Sequence, residues 1–192
     1  MKDFEVQIIT LSPDDEEAIG QVAAVLIEGF KAHSPEAWPS IVAALEEVQE
    51  SFGEDRISRI ALDDSGEIVG WVGGLSHYDG KVWEIHPLVV KPSRQGSGIG
   101  RQLVRDFEDI VRKRGGLTIW VGVDDEDDMT TLAGIDLYPN ALEHLAQIRN
   151  LRRHPYEFYQ KLGFVLTGVM PDANGRGKPD IFLAKRVKRE NY

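Results

Sequence analysis

KPSRQGSGIGRQL, residues 91–103, places three glycines at alternate positions between an apolar run, IHPLVV at 85–90, and a segment of helical periodicity over about 98–114. Glycine lets a ligand approach the backbone without obstruction by a side chain, and the free N–H groups at the start of a helix attract anions. The stretch therefore predicts a strand, a loop that binds a phosphate-bearing ligand, and a helix. An ordinary turn between a strand and a helix is the alternative interpretation.

Two well-known phosphate loops do not fit this stretch. The Walker loop requires Gly-Lys followed by Ser or Thr, which is absent here. The dinucleotide loop requires a further glycine at position 101, where the chain has Arg101. What remains is the spacing Gln95-x-x-Gly98-x-Gly100.

The composition is that of one acidic globular domain. With 192 residues, of which 42% are hydrophobic, the chain is able to bury one sizeable core, and we expect a single domain over 1–192. No apolar run reaches membrane-spanning length and no leader-like segment opens the sequence, so we expect a cytoplasmic protein without a membrane partner. The net charge of -10 disfavours nucleic acid as a partner and favours cations, and the absence of cysteine excludes disulfides and cysteine-bound zinc.

Periodicity and turn residues predict helices and strands on both sides of the glycine loop. Ser12 is expected to cap the first helix, with Pro13 at its first position. The predicted helices cover about 12–33, 35–52, 98–114, 138–149 and 155–163, and the predicted strands cover about 56–64, 67–75, 81–90, 117–123, 164–170 and 180–187.

The order of motifs resembles a known family. Residues 95–100 fit Gln/Arg-x-x-Gly-x-Gly/Ala, and EFYQKLGF at 157–164 fits Tyr-x-x-x-Gly-Phe. Over about 55–186 the chain resembles the GCN5-related N-acetyltransferases, which bind acetyl-coenzyme A. The resemblance implies an α+β fold with a mixed, largely antiparallel sheet flanked by helices, in which a bulged central strand is splayed from the next one.

A narrower resemblance extends beyond the cofactor motifs. WEIHPLVV at 83–90, TIWVGVDDEDDMTTLAGIDLY at 118–138 and IRNLRRHPYEFYQKLGF at 148–164 are similar to the enterococcal type of aminoglycoside 6′-N-acetyltransferases, as is GVMPDANGRGKPDIFLAKR at 168–186. The resemblance implies acetyl transfer from acetyl-coenzyme A to the 6′-amine of an aminoglycoside, in a homodimer and without a metal ion. Two alternatives stay open: another polyamine-like or metabolite amine as acceptor, and a non-catalytic module that binds acyl-coenzyme A or aminoglycosides.

The family motif implies which residues hold acetyl-coenzyme A. The pyrophosphate is expected at the glycine loop, and backbone N–H groups freed by the bulge are expected to bind the acetyl carbonyl and the pantetheine arm. The expected loop residues are Gln95, Gly96, Ser97, Gly98, Ile99, Gly100 and Arg101, and the expected strand residues are Leu88, Val89 and Val90.

Three side chains are catalytic candidates. Glu84 and His86 alternate on one strand, so they share a face where an amine is able to approach. The resemblance implies that Glu84 is the base, acting through water, that His86 contacts the acyl site, and that Tyr159 donates a hydrogen bond or proton to the leaving sulfur. The alternative for Tyr159 is an aromatic residue packed in the core.

The acidic run DDEDD, residues 124–128, is expected to attract a polycation. Asp124 and Asp125 are the predicted acceptor contacts, with Asp136 a further candidate, whereas a solvated loop is the alternative. The spacing of a calcium loop is absent. Trp38 is expected either to stack on a sugar ring or to pack between helices.

The segment 138–149 has one apolar face, formed by Leu142, Leu145, Ala146 and Ile148. This face is expected to pack either in the core of the domain or in a contact between two subunits.

Overall fold

Strands and helices form two groups that follow each other along the chain, and the computed structural model describes them over residues 6–187. The first compact unit ends at Leu117 and the second begins at Thr118. Residues 1–5 and 188–192 of the expected single domain lie outside the described residues. The assignment of 1–192 to one domain stays a prediction.

The first unit combines an antiparallel sheet with three helices. Its strands pair in the order β1-β2-β3-β4, each antiparallel to its neighbour. The elements are β1 (Gln7–Thr10), α1 (Glu16–Phe30), α2 (Ile41–Glu50), β2 (Arg56–Leu62), β3 (Ile68–His77), β4 (Val82–Val90), a 3-10 turn (Pro92–Arg94) and α3 (Ile99–Lys113).

The second unit has three antiparallel strands and two short helices, and β7 lies between β5 and β6. The elements are β5 (Thr118–Asp124), a 3-10 turn (Tyr138–Asn140), α4 (Ala141–Ala146), α5 (Tyr156–Lys161), β6 (Val165–Met170) and β7 (Asp180–Arg186). The predicted α+β class and the largely antiparallel pairing are confirmed, whereas the splay of a central strand pair stays a prediction.

The packing of α3 on the sheet fixes the position of the glycine loop. Phe107 of α3 is fully buried. A Cβ atom built on Gly74 of β3 would lie 2.3 Å from the Phe107 ring and 2.7 Å from the carbonyl oxygen of Glu84. Gly74 therefore lets α3 lie close against β3, which sets the start of α3 relative to the end of β4.

Two helix starts differ from the sequence prediction. Asp15, and not Ser12, caps α1, because its carboxylate accepts a hydrogen bond from the backbone N–H of Ala18 at 3.0 Å. Helix α2 begins at Ile41 and not near residue 35, because the Ser40 hydroxyl accepts from the backbone N–H of Ala43 at 3.2 Å. The helix expected over 138–149 is shorter, and strand β1 was not predicted.

Within residues 6–187, none of the helices is long and apolar enough to cross a membrane. The same part of the chain contains no cluster of three or more His, Asp or Glu side chains suited to hold a metal ion.

Candidate active site

The glycine loop adopts backbone conformations that favour glycine. Gly96 has a φ of 76° and Gly98 a φ of 92°, both in the left-handed region. The Gln95 side chain donates to the carbonyl oxygen of Val90 at 3.1 Å, and the Ser97 hydroxyl donates to the carbonyl oxygen of Arg94. Both side chains therefore brace the loop internally.

Helix α3 begins without a side-chain cap. Gly98 is the N-cap residue and has no side chain that could accept a hydrogen bond from the first turn. The N–H groups of Ile99 and Gly100 have no acceptor inside the helix, because the first helical bond runs from Gln102 N–H to the carbonyl oxygen of Gly98. A helix of 15 residues that starts in this way is suited to bind a phosphate group.

Two ion pairs anchor the residues that precede the glycine loop, and sequence analysis did not find these ion pairs. Arg94 contacts Asp63 with Nη2 and Oδ2 3.0 Å apart, and Lys91 forms an ion pair with Glu67. A hydrogen bond from the Ser65 hydroxyl holds the pKa of Asp63 below its usual value. Asp63 is thus kept as an anion that fixes Arg94 at the start of the loop.

The predicted bulge lies in β4, directly before the strand residues expected to bind the acetyl group. Leu88 pairs with Val72 and Ile85 pairs with Gly74, so His86 and Pro87 together oppose the single residue Gly73. A Cβ atom at Gly73 would lie 2.5 Å from the carbonyl oxygen of His86. The bulge therefore depends on a glycine in the neighbouring strand. Beyond it, regular pairing resumes, with Val89 opposite Trp71 and Val90 opposite Gly70.

The two polar residues of β4 each take part in a contact between a carboxylate and an imidazole. Glu84 Oε2 lies 2.9 Å from Nε2 of His77, and the Glu84 side chain is 18% exposed. His86 Nε2 lies 3.6 Å from Oε1 of Glu47, and the His86 side chain is 50% exposed. His77 and Glu47 were missed by sequence analysis, because neither belongs to a motif.

Trp38 packs between helices, which is one of the two alternatives expected for it from the sequence. Its ring lies edge-on to Phe30, with ring centroids 4.6 Å apart, and its Nε1 donates to Oε2 of Glu47 at 3.2 Å. Trp38 is only partly buried and its ring centroid lies 6.4 Å from that of His86. A role of Trp38 toward a sugar ring stays a prediction.

The acidic run does not act as one surface, and the expectation for Asp125 is corrected. Asp125 is fully buried. Its two oxygens accept hydrogen bonds from the backbone N–H groups of Met129 at 2.7 Å and Thr130 at 2.8 Å. The buried Asp125 carboxylate is not accessible to an acceptor. Its charge is stabilised by these two hydrogen bonds, which also fix the conformation of the loop.

Asp124 is exposed at the end of β5, so its side chain remains a candidate for contact with a cation. Its carboxylate accepts a hydrogen bond from Nδ2 of Asn174. Asp136 is also exposed, and its carboxylate accepts from the backbone N–H of Tyr138 at 3.1 Å.

His154 ties the tyrosine helix α5 to the end of β5, although sequence analysis did not select it. The ring is 1% exposed, and burial lowers the pKa of His154, which keeps the ring neutral. Its Nδ1 accepts from the backbone N–H of Tyr156 at 3.3 Å, so Nε2 carries the proton and donates to the carbonyl oxygen of Asp124 at 3.0 Å.

Tyr159 is buried in α5, in contact with Phe158 and Phe164 at centroid distances of 5.0 and 5.4 Å. Burial raises the pKa of the Tyr159 phenol, so the hydroxyl keeps its proton at neutral pH. Such a phenol is suited to donate a hydrogen bond. It is a poor source of a fully transferred proton, because a thiolate with an ordinary pKa near 8.5 is the weaker base.

A family model agrees with the family resemblance that the sequence motifs indicated. The model of the acetyltransferase (GNAT) family matches residues 24–133. Among curated proteins, none matches the chain.

Solved structures are similar to the chain over nearly its whole length. An aminoglycoside 6′-N-acetyltransferase complexed with coenzyme A has a TM-score of 0.87 and 39% identity over 97% of this chain and 99% of its own. The aminoglycoside 6′-N-acetyltransferase from Enterococcus faecium has a TM-score of 0.85 and 39% identity over the same shares of the two chains. An aminoglycoside 6′-acetyltransferase type Ii has a TM-score of 0.72 and 33% identity over 96% and 99%.

Proposed function

Because the chain belongs to the acetyltransferase (GNAT) family, we propose that it transfers the acetyl group of acetyl-coenzyme A to the 6′-amine of an aminoglycoside. The observation that carries the proposal is the 39% identity, over 97% of the chain, to an aminoglycoside 6′-N-acetyltransferase complexed with coenzyme A. A likeness that covers both cofactor-binding and acceptor-facing segments favours a shared acceptor class over a shared cofactor alone.

The glycine loop and the start of α3 fit the pyrophosphate of acetyl-coenzyme A. The side chains of Gln95 and Ser97 hold the loop, and the first N–H groups of α3 point out of a helix end where Gly98 supplies no capping side chain. The backbone of Leu88, Val89 and Val90, after the bulge, is proposed to bind the acetyl carbonyl and the pantetheine arm. Bound acetyl-coenzyme A supplies the activated acetyl group.

The acceptor must lose a proton before its nitrogen attacks, and we assign this step to Glu84. The Glu84 side chain is mostly buried and its Oε2 is engaged by His77, so the other oxygen is left for a water molecule that relays the proton. His86, more exposed and two residues further on, is assigned to contact with the acyl site. Tyr159 is proposed to donate a hydrogen bond to the sulfur as it departs.

A thiol-release assay tests the proposed function. Parent protein and acetyl-coenzyme A are incubated with a panel of aminoglycosides, polyamines and peptide amines, and the position of acetylation is read by mass spectrometry. We expect the highest kcat/KM with an aminoglycoside that carries a free 6′-amine. Faster turnover of a polyamine or a metabolite amine would favour the alternative acceptor, and no thiol release with any amine would favour a binding module.

Asp124 is proposed to contact an ammonium group of the acceptor, and its charge is the testable feature. We expect Asp124→Asn to raise the KM for a multiply charged aminoglycoside about threefold to tenfold, and to leave the KM for a monoamine nearly unchanged. Added salt should raise the KM of the parent more steeply than that of the variant, because screening weakens an attraction that the variant has lost. Steady-state kinetics at two salt concentrations measure both effects.

Asp128→Asn is the matched control, because it removes the same charge from an exposed position of the same acidic run. Equal KM values in parent and Asp124→Asn at low salt would remove Asp124 from the acceptor site. An equal rise in both variants would instead indicate general attraction by the acidic loop.

We also propose that the enzyme is a homodimer in the cytoplasm, where acetyl-coenzyme A is available to it. In the second unit Tyr138 and Leu142 are 70% and 74% exposed, and only Leu145 of the predicted apolar face is buried. Exposed apolar side chains grouped on one segment favour contact with a second subunit. Light scattering tests the proposal, with twice 21.5 kDa expected and a monomeric mass against it.

A further inference from the structure

Glu47 of α2 is a partly buried carboxylate that no motif singles out. Its side chain is 21% exposed. Oε2 accepts a hydrogen bond from Nε1 of Trp38 at 3.2 Å, and Oε1 lies 3.6 Å from Nε2 of His86. One carboxylate therefore contacts both Trp38, a candidate for contact with a sugar ring, and His86, the residue expected at the acyl site.

Trp38 depends on Glu47 for its orientation. Trp38 lies in the irregular segment between α1 and α2, residues 31–40. The edge-on contact with Phe30 positions the ring by its apolar part, and the bond to Glu47 satisfies its only polar group. A partly buried indole N–H requires such a partner, and no second acceptor is recorded for it within residues 6–187.

His86 contacts the same carboxylate of Glu47, which orients its ring. Its side chain is 50% exposed and stands on the bulge of β4. At 3.6 Å the contact with Glu47 is longer than a direct hydrogen bond, so it acts through a bridging water molecule. Residues from three parts of the first unit thus meet at Glu47, and we refer to them as the Trp38–Glu47–His86 group.

We propose that Glu47 is a positioning residue for the acceptor: it holds Trp38 in the orientation in which it meets the amine substrate, beside His86 at the acyl site. The proposal rests on the acetyltransferase function given above. Glu47 does not duplicate Glu84, whose carboxylate is engaged by His77. The first unit therefore has one carboxylate, Glu84, that accepts the proton of the amine, and a second, Glu47, that orients neighbouring side chains.

Kinetics of three variants test the consequence for the substrate. Glu47→Ala should raise the acceptor KM about tenfold, while kcat falls less and the Kd for acetyl-coenzyme A changes less than twofold. Glu47→Gln should restore most of the loss, because the glutamine oxygen still accepts from Trp38 and the amide N–H is able to donate to His86. Glu46→Ala is the matched control, because Glu46 is an exposed glutamate at the adjacent position of the same helix.

A double-mutant cycle identifies the route of the effect. Trp38→Phe keeps an aromatic ring and removes the N–H group that Glu47 binds. If Glu47 acts through Trp38, the loss in the Glu47→Ala and Trp38→Phe double variant should be smaller than the product of the two single losses. A multiplicative loss would overturn this route.

Nuclear magnetic resonance tests the contact without any turnover. The chain has 4 tryptophans, so a ¹H–¹⁵N spectrum shows four indole signals, and the signal that disappears in Trp38→Phe belongs to Trp38. Glu47→Ala should move that signal upfield, and Glu47→Gln should move it less. The indoles of Trp71 and Trp83, which donate to Ser58 and to the Gly80 carbonyl, serve as internal references that should not move.

The outcomes separate this inference from the proposed function. All KM values are measured with the amine of the panel that the parent acetylates fastest, so loss of the aminoglycoside assignment alone leaves the test intact. An unmoved Trp38 signal in Glu47→Ala, or an unchanged KM despite a moved signal, would overturn the inference. A Glu47→Gln variant as impaired as Glu47→Ala would also overturn it, because the charge of Glu47 would then act directly on the substrate.

Discussion

Gly98→Val is expected to weaken the binding of coenzyme A by about a hundredfold or more while the protein still folds. Gly98 is the N-cap of α3 at a φ of 92°, and its missing side chain leaves the N–H groups of the first turn accessible. A branched side chain there would stand between these groups and the pyrophosphate. Loss of two hydrogen bonds to a charged group, at about 1.5–3 kcal/mol each, accounts for an effect of this size.

The same substitution also strains the backbone, so the control must carry the same strain. Gly115→Val places valine at a φ of 83° just beyond the other end of α3, where a Cβ atom has no heavy atom within 4 Å. Both variants should lose roughly 1–3 kcal/mol of unfolding free energy, but only Gly98→Val should lose affinity in calorimetry. If folded Gly98→Val binds coenzyme A like the parent, the assignment of the loop is wrong.

Tyr159→Phe is expected to lower kcat about tenfold to a hundredfold with little change in the Kd for coenzyme A. The substitution keeps the ring that packs against Phe158 and Phe164 and removes only the hydroxyl. Because burial raises the pKa of the phenol, the role expected of it is a hydrogen bond to the thiolate that forms in the transition state. A hydrogen bond to a charged group is worth about 1.5–3 kcal/mol, which sets the expected range.

Tyr156→Phe is the matched control for the loss of a hydroxyl. Tyr156 is a buried tyrosine of the same helix, and its hydroxyl bonds to the backbone of Asn150. This variant should lose about 1 kcal/mol of unfolding free energy and keep its kcat. Single-turnover measurements separate chemistry from product release, and an unchanged chemical step in Tyr159→Phe would remove Tyr159 from the mechanism.

The resemblance drawn from the motifs alone is confirmed for the family and for the relatives. It succeeded because the loop and tyrosine motifs are short, and each is defined by residues that are neighbours in the chain. Helix α3 was predicted within one residue at each end, since its periodicity is regular and Gly98 marks its start. The start of α1 was wrong, because both Ser12 and Asp15 are good capping residues and only the path of the chain selects between them.

The acidic run shows the limit of reasoning from charge. Asp124 and Asp125 are adjacent and identical in type, and the sequence offers no basis to treat them differently. In the structure Asp124 is exposed, whereas Asp125 turns inward to bind two backbone N–H groups of the loop that follows. The direction of each side chain is set where β5 ends and the loop begins.

The amino-acid sequence by itself determined the family, the position of the glycine loop and most of the helices and strands, because these follow from residue types at fixed spacings along the chain. Only the tertiary structure decided which polar groups meet: His77 with Glu84, Glu47 with both Trp38 and His86, and His154 with the end of β5. Such contacts join residues that are distant in sequence, and spacing carries no information about them. Their partners are fixed by how helices pack on strands, where each partly buried polar group requires a partner.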